Sequence, residues 1–297
     1  MVQNLFFRCG RYVEVHKSSE TQSYIERSPI AELVGAVRSV WIQSTGGTAY
    51  LQRHLPTGGV ELHFPMGAPP QFLGPLTGPR IEVIPPYTTL VGVRFHPGTA
   101  PPLPTSLDEL VDQRVDLEDL WGNTAERLGV ATAAAAGPDA ALGLIQGHLL
   151  RTFRCVGYPD PLIREAVLRL MPWHPVEIGA VAEHLAISTT QFWRRCLDLV
   201  GVGPKALQRT LRFQGFLALA QAGAAPSRRS GAHGLAGLAV DVGYADHAHL
   251  SRECARLTGL SPSELLGGSF DRCECGHDHA ASYKPFLATR GVAPLRP

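Results

Sequence analysis

The chain holds three lysines among 297 residues, Lys17, Lys205 and Lys284. Arginine carries nearly all its positive charge, beside abundant alanine, glycine and proline. That bias points to a GC-rich, bacterial coding sequence. No apolar run reaches the ~18 residues of a membrane helix. The first residues, MVQNLFFRCGRY, lack a signal peptide's long apolar stretch and small-residue cleavage site. These absences predict a cytoplasmic protein with no membrane role. In that compartment six cysteines are not a disulfide framework. P-loop, G-x-G-x-x-G and nucleophile-elbow patterns are also missing, so the sequence predicts no enzyme. Nor is there a large charge of one sign. The net charge is +1, too little to hold a polyanion by electrostatics alone. Residues 1–159 carry 12 basic and 14 acidic side chains, against 11 and 9 in residues 160–268. The asymmetry predicts only modest non-specific affinity for nucleic acid, which scales with the phosphates neutralised.

What is present is enough for two domains of an α+β protein, with 44% hydrophobic residues to build cores. Residues 1–100 read as strands. VRSVWIQS, AYLQRHL, GVELHFPM, RIEVIPPY and TLVGVRFHPG alternate with Gly/Pro turns, a spacing that predicts a small antiparallel barrel or sandwich. Residues 106–155 turn helical, through SLDELVDQRVDLEDLWG and ALGLIQGHLLRTF. The run Gly157 to Pro161 is a linker, and PLIREAVLRLM opens a second, all-helical domain. The predicted division is 1–156, 160–267 and a tail at 268–297, whose prolines Pro285, Pro294 and Pro297 suggest an irregular end.

The stretch from Glu177 to Leu265 contains one pattern twice. Each copy has a short apolar helix, a tight turn, a second helix with polar and basic residues, and a Gly-x-x-Pro terminator. In the first copy Ile178, Val181, Ala182 and Leu185 share one helix face. Ala186 and Ile187 turn the chain, and Ser188 caps the next helix. Phe192, Cys196 and Leu199 then point inward, leaving Thr189, Thr190, Trp193 and Arg194 outside. In the second copy Leu235, Leu238 and Val242 line the helix. Gly243 supplies the positive φ of the turn, and Asp246 caps the next helix. Leu250 and Cys254 face inward, leaving His247, His249, Arg252 and Glu253 outside. This is a double helix–turn–helix, whose second helices offer their N-terminal residues to the major groove of double-stranded DNA. Arg194 suits a bidentate pair with guanine, and Trp193 can pack on a thymine methyl or a sugar. The predicted DNA contacts are Thr189, Thr190, Trp193, Arg194, His247, His249 and Arg252.

The second copy reads L-A-V-D-V-G-Y-A-D-H-A-H-L-S-R-E-C-A-R-L-T-G-L-S-P from Leu238 to Pro262. It resembles the most recognisable string of the AraC/XylS family of transcription regulators, I-A-x-x-x-G-F-x-D-x-S-H-F-S-R-x-F-K-x-x-x-G-x-S-P. Cys254 stands where that string has phenylalanine. The resemblance covers residues 160–267, and Ala224–Gly234 lengthens the gap before the second motif. It implies a sequence-specific, DNA-binding transcription regulator. It further implies a cupin-like sensor barrel before the DNA-binding domain, a small-molecule effector of unknown identity, RNA polymerase contact in an activator, and a homodimer paired through helices near 106–155; the alternative reading packs those helices against the barrel. The strings HLPTGGVELHF and LVGVRFHPGTAPPL also resemble an uncharacterised sensor-like domain that precedes this DNA-binding domain in related regulators.

Two clusters invite metal. Glu61 and His63 share a strand face, with His54 and His96 on neighbouring segments, although the spacing is not that of a cupin. In the tail, Cys273, Cys275, His277 and His279 are four zinc-type ligands within seven residues, tighter than a zinc-finger knuckle. An alternative reading is therefore a metal- or redox-responsive regulator that uses the CECGHDH segment as its input. A third is an enzyme fused to a DNA-targeting domain.

Overall fold

A computed structural model describes residues 22–157, 159–173, 175–222, 232–266 and 279–291. The N-terminal half is a β-structure built from β1 (Ser23–Arg27), β2 (Val37–Ser44), β3 (Tyr50–His54), β4 (Glu61–Pro65), β5 (Gln71–Leu73), β6 (Arg80–Ile84), β7 (Thr89–Phe95) and β8 (Arg114–Asp116). Six strands form one antiparallel sheet in the order β1-β2-β7-β4-β5-β8. The ribbon β3–β6 stands apart as a second, two-stranded sheet. The expected barrel is not closed among the described residues, because β1 and β8 remain edges of the large sheet. The described residues form an open sheet and a separate two-stranded one, so a cupin-like barrel is not confirmed.

Alternation along the strands explains how both faces are used. On one face Val40 and Ile42 of β2, Leu62 and Phe64 of β4, and Val91, Val93 and Phe95 of β7 form a dry core. Helices α1 (Leu117–Trp121), α2 (Asn123–Ala133) and α3 (Pro138–Val156) cover it, with Leu142, Ile145, Leu149 and Phe153 of α3 buried. The run read as helical through VDQRVD instead contains strand β8, which adds to the edge strand β5. On the other face Trp41 lies flat against Gly92, where an added Cβ would come within 2.1 Å of the indole. Beside it sit Glu26, Ser39, Glu61, His63 and Arg94. Glycine is needed at position 92 to admit the ring.

The C-terminal half is helical: α4 (Pro161–Arg169), α5 (Ile178–His184), α6 (Thr189–Val200), α7 (Pro204–Gln221), α8 (Ala232–Asp241), α9 (His247–Thr258), α10 (Pro262–Leu265) and α11 (Ala280–Ala288). Helix α7 is buried along nearly its whole length and joins the two helix–turn–helix units. One apolar cluster runs from Ile163 to Phe286. The tail is thus not irregular throughout. Helix α11, with Pro285 inside it, buries Ser282, Tyr283 and Phe286 and lies against α7 and against β1 and β2.

The two halves meet through buried polar groups. Arg94 Nη1 donates to Glu26 at 2.9 Å, and its Nε donates to Glu61 at 2.8 Å. Nη1 also reaches the Ser282 hydroxyl of α11 at 2.8 Å. Burial works to raise the Glu26 carboxyl, but Arg94 together with hydrogen bonds from His279 and Ser39 holds it at about 2, below the usual 4.5. A carboxyl depressed in the folded state contributes stability above its unfolded pKa, and that stability is lost as pH falls from about 4.5 towards 2. Replacing Arg94 by methionine strands two buried carboxylates and should cost about 3–5 kcal/mol at pH 7. Urea unfolding at pH 7 and at pH 4 checks this. The deficit should shrink at the lower pH, where protonation relieves the stranded carboxylates, and an equal deficit at both would assign the loss to packing alone.

Candidate nucleic-acid interface

The two copies found in the sequence fold in step. Helix α5 ends with Ile187 N–H donating to Ala182 O at 3.1 Å, and α8 with Tyr244 N–H donating to Ala239 O at 2.9 Å. In both the turn residue takes the left-handed conformation, Ala186 at φ 53° and Gly243 at φ 80°. The following N-caps are as read. Ser188 accepts from Gln191 N–H at 3.1 Å while the Gln191 side chain accepts from Ser188 N–H at 2.9 Å, a reciprocal box. Asp246 accepts from His249 N–H at 2.6 Å. Buried Phe192 and Leu250, then buried Cys196 and Cys254, follow at matched positions, and Gly201 and Gly259 end both helices in the left-handed region. Burial raises both thiols, Cys196 to about 12 and Cys254 to about 11. Each cysteine therefore acts as a small apolar filler.

The N-terminal half seats on the C-terminal ends of both second helices. A Cβ at Gly201 would meet Pro75 and the Leu107 carbonyl at 2.7 and 2.9 Å. Arg53 of β3 donates to Thr258 O at the end of α9, at 3.0 Å. The N-terminal ends of α6 and α9, where base contacts are made in this motif, stay exposed. Thr189, Thr190 and Arg194 are exposed, and so is Arg252.

The remaining predicted contacts divide. Trp193 is 51% exposed and rests over Gly203, whose Cβ would lie 2.9 Å from the indole nitrogen. With Thr189, Thr190 and Lys205 it lines a shallow hollow. Half of its surface is thus already out of water. His247 is half-buried, with Nε2 enclosed and unpartnered among the described residues. His249 turns back on its own turn. Its ring packs edge-on to Tyr244 at 5.1 Å, and Nδ1 accepts from Ala245 N–H at 3.4 Å. Glu253, expected outside, is buried. It chelates Arg209 of α7 at 2.8 and 2.6 Å, because the connector helix passes beneath α9. Lys205 escaped the sequence reading, although its place directly after the first terminator's proline set it beside the exposed threonines.

The metal candidates look different in three dimensions. Glu61 is taken by Arg94, and His63 Nε2 sits 3.2 Å from Glu61. Burial pulls His63 down to about 4 against the opposing pull of Glu61, so the ring is neutral at pH 7. His54 pairs with Glu82 at 2.8 Å, and His96 lines a separate apolar cavity. Among the described residues no cluster of three or more His, Cys, Asp or Glu could hold a metal ion. Cys273, Cys275 and His277 lie outside the described residues, as does most of Ala224–Gly234. His279 Nδ1 is 3.1 Å from Glu26, and its ring lies against Tyr24. A metal on the tail would have to take His279 through Nε2.

Residues 181–267 match a family described as a helix-turn-helix domain, and residues 25–116 match a domain of unknown function. No curated protein matches the chain. Among solved structures the chain is similar to ToxT from Vibrio cholerae O395, at 9% identity and TM-score 0.42 over 83% of this chain and 98% of that one. It is also similar to unsaturated fatty acid-bound ToxT from Vibrio cholerae strain SCE256, at 12% identity and TM-score 0.41 over 84% and 96%. No helix among the described residues is long and apolar enough to cross a membrane.

The matched turns give a paired test. A Cβ at Gly243 meets nothing closer than 3.7 Å, so Gly243→Ala should cost only the left-handed strain, about 1–2 kcal/mol. Ala186→Gly relieves that strain and adds backbone entropy to the unfolded chain, so it should fall within about 1 kcal/mol of wild type. Equal losses in thermal unfolding would show that the two turns are not equivalent.

Proposed function

From an AraC-type helix-turn-helix domain at residues 181–267, we propose that this protein is a sequence-specific DNA-binding transcription regulator, which holds two recognition helices on one connector and takes its signal through the N-terminal half. The observation that carries this reading is the pairing of the copies. Both second helices are capped at their N-termini, both expose an arginine at the sixth helical position, and both are anchored at the C-terminal end. Arg194 and Arg252 are exposed and have no partner among the described residues. A free guanidinium can reach O6 and N7 of guanine with two parallel hydrogen bonds. Thr189 and Thr190 offer hydroxyls to bases or phosphates from the first turn of α6. Lys205 adds a positive charge beside them.

In this scheme residues 1–156 receive the signal, 160–267 bind the operator, and 268–297 return the chain to the sheet through α11. The modest net charge fits a regulator that depends on base contacts more than on phosphate neutralisation. Homodimerisation and contact with RNA polymerase would follow from the same role, and an activator needs the second.

Hydroxyl-radical footprinting on an operator recovered by genome-wide occupancy should show two protected major-groove segments about one helical turn apart. Protection of a single segment would leave one copy without a DNA role. Arg194→Ala and Arg252→Ala should each weaken operator binding by about 1–3 kcal/mol if bidentate guanine pairs are lost, roughly 5- to 150-fold. Wild-type affinity in both variants would move the recognition surface elsewhere.

A further inference from the structure

Helix α11 lies beyond the helix-turn-helix match, which ends at residue 267, yet it is tied in at both ends. At its start, His279 Nδ1 is 3.1 Å from the Glu26 carboxylate of β1. The Ser282 hydroxyl then accepts from Arg94 of β7 at 2.8 Å, and the Ser282 carbonyl accepts from Arg38 Nε of β2 at 2.6 Å. Arg38 is an extra residue in its strand. Val37 pairs with Phe95 and Ser39 with Arg94, so the register slips by one between them. A slip of this kind re-aims the side chain, here into the seam, where the rings of Tyr283 and Phe286 lie 5.3 and 5.0 Å from its guanidinium carbon. The near end of α11 is therefore fixed to three strands of the sheet.

The far end runs to the second helix–turn–helix copy. After α11 the chain makes a 3₁₀ turn, Thr289–Gly291. Trp173 Nε1 donates to Thr289 Oγ1 at 2.9 Å, and the Arg290 guanidinium sits over the Trp173 ring at 5.7 Å. Arg290 also reaches Asp241, the last residue of α8, at 3.7 Å. Pro172 and Trp173 pass over α7 at Gly215, where a Cβ would meet Pro172 at 2.4 Å and the Trp173 ring at 3.4 Å. A Cβ on Gly243, the turn residue before α9, would lie 4.0 Å from the Pro172 carbonyl oxygen. One line of contacts thus leads from the sheet along α11 to Trp173, and from there to the turn between α8 and α9. The first copy is seated by another route, with Gly201 against Pro75 and the Leu107 carbonyl.

We propose that α11 is a positioning strap for the second recognition helix, with Thr289 and Arg290 as the residues that transmit its placement. Neither residue touches DNA in this scheme; both act through Trp173 and α8 on the turn that aims α9. A helix present only to cover apolar surface needs Tyr283 and Phe286, which are buried. It has no use for polar ties at its two ends that lead to different halves of the molecule. Its nine residues rise about 14 Å and form one stiff piece, so a displacement of β1, β2 and β7 at the near end reaches Trp173 at the far end. The two copies are then wired to the β-structure separately, the first by direct contact and the second through the strap as well. The assignment rests on the regulator reading for its meaning in DNA binding, while the mechanical link is testable without DNA.

Hydrogen exchange of the full chain tests the link. Thr289→Val combined with Arg290→Ala removes both far ties at positions that are not buried, and leaves Ser282 and Phe286 in place. Amides of α8 and α9 should then exchange roughly 2- to 12-fold faster, the range set by one lost hydrogen bond, while those of α5 and α6 keep wild-type rates. Thr289→Ser alone keeps the hydroxyl and should leave every rate unchanged. Wild-type exchange of α8 and α9 in the double variant, or equal acceleration in both copies, would overturn the strap. On a two-segment operator the double variant should lose protection of the second copy's segment by a similar factor and keep the first. An unchanged footprint would also overturn the positioning role. Selective exchange in a chain that protects no operator would sink the regulator reading and leave the mechanical link standing. Two protected segments with unselective exchange would sink the strap alone.

Discussion

One buried guanidinium holds the seam of this molecule together. Arg94 stands between the carboxylates of Glu26 and Glu61, on strands β1 and β4 that both reach it across the sheet. Taking three charges out of water is costly, and the cost is met only because every partner is fixed by the strand register. Ser39 and His279 complete Glu26, and His63 leans on Glu61. The Ser282 hydroxyl then brings α11 to the same point. A helix near the end of the sequence is thereby bound to the first strand described. The polar face of the sheet becomes an internal surface, where an ordinary sandwich would have a second apolar layer.

The helical half depends on a different device, local and repeated. Each second helix is closed at its start by a side-chain cap and at its end by a left-handed glycine. Between them one large apolar residue and one cysteine face α7 or its neighbours. Because α7 is buried on nearly all sides, it acts as a common spine for both copies. The Glu253–Arg209 pair fastens α9 to that spine. Phe192 fills more volume than Leu250 at the matched site, so the two copies are alike in plan and different in packing.

This division explains which parts were legible in the sequence. Caps, turn glycines and apolar spacing lie within a few residues of each other, so both helix–turn–helix copies could be read from Ile178 to Pro262. The antiparallel character of residues 23–95 was legible for the same reason, since alternation is local. Closure of the sheet was not, because nothing in the spacing of strands says whether β1 and β8 meet. Strand β8 was hidden in an acidic run whose composition favours a helix start. Glu253 looked like a surface residue because its partner Arg209 lies 44 positions away. The role of His279 and Ser282 was likewise invisible, since their partners are on β1, β2 and β7. Arg38 was passed over entirely, because a one-residue slip in register leaves no mark in a strand of β-branched residues.

The seating of the N-terminal half on Gly201 and Thr258 gives the recognition helices the geometry of levers. Each is 12 residues long, about 18 Å at the α-helical rise, with its pivot at the C-cap and its working end at the N-cap. A tilt of about 5° at the pivot would displace the far end by roughly 1.6 Å over that length. Hydrogen bonds to base edges fail over a smaller distance than that. A change in the β-structure too small to disturb its own core would then be enlarged where the DNA is read. The pair of levers shares one spine, so on the proposed reading the controlled quantity would be the phase between them along the groove, and an operator would be lost without either helix unfolding.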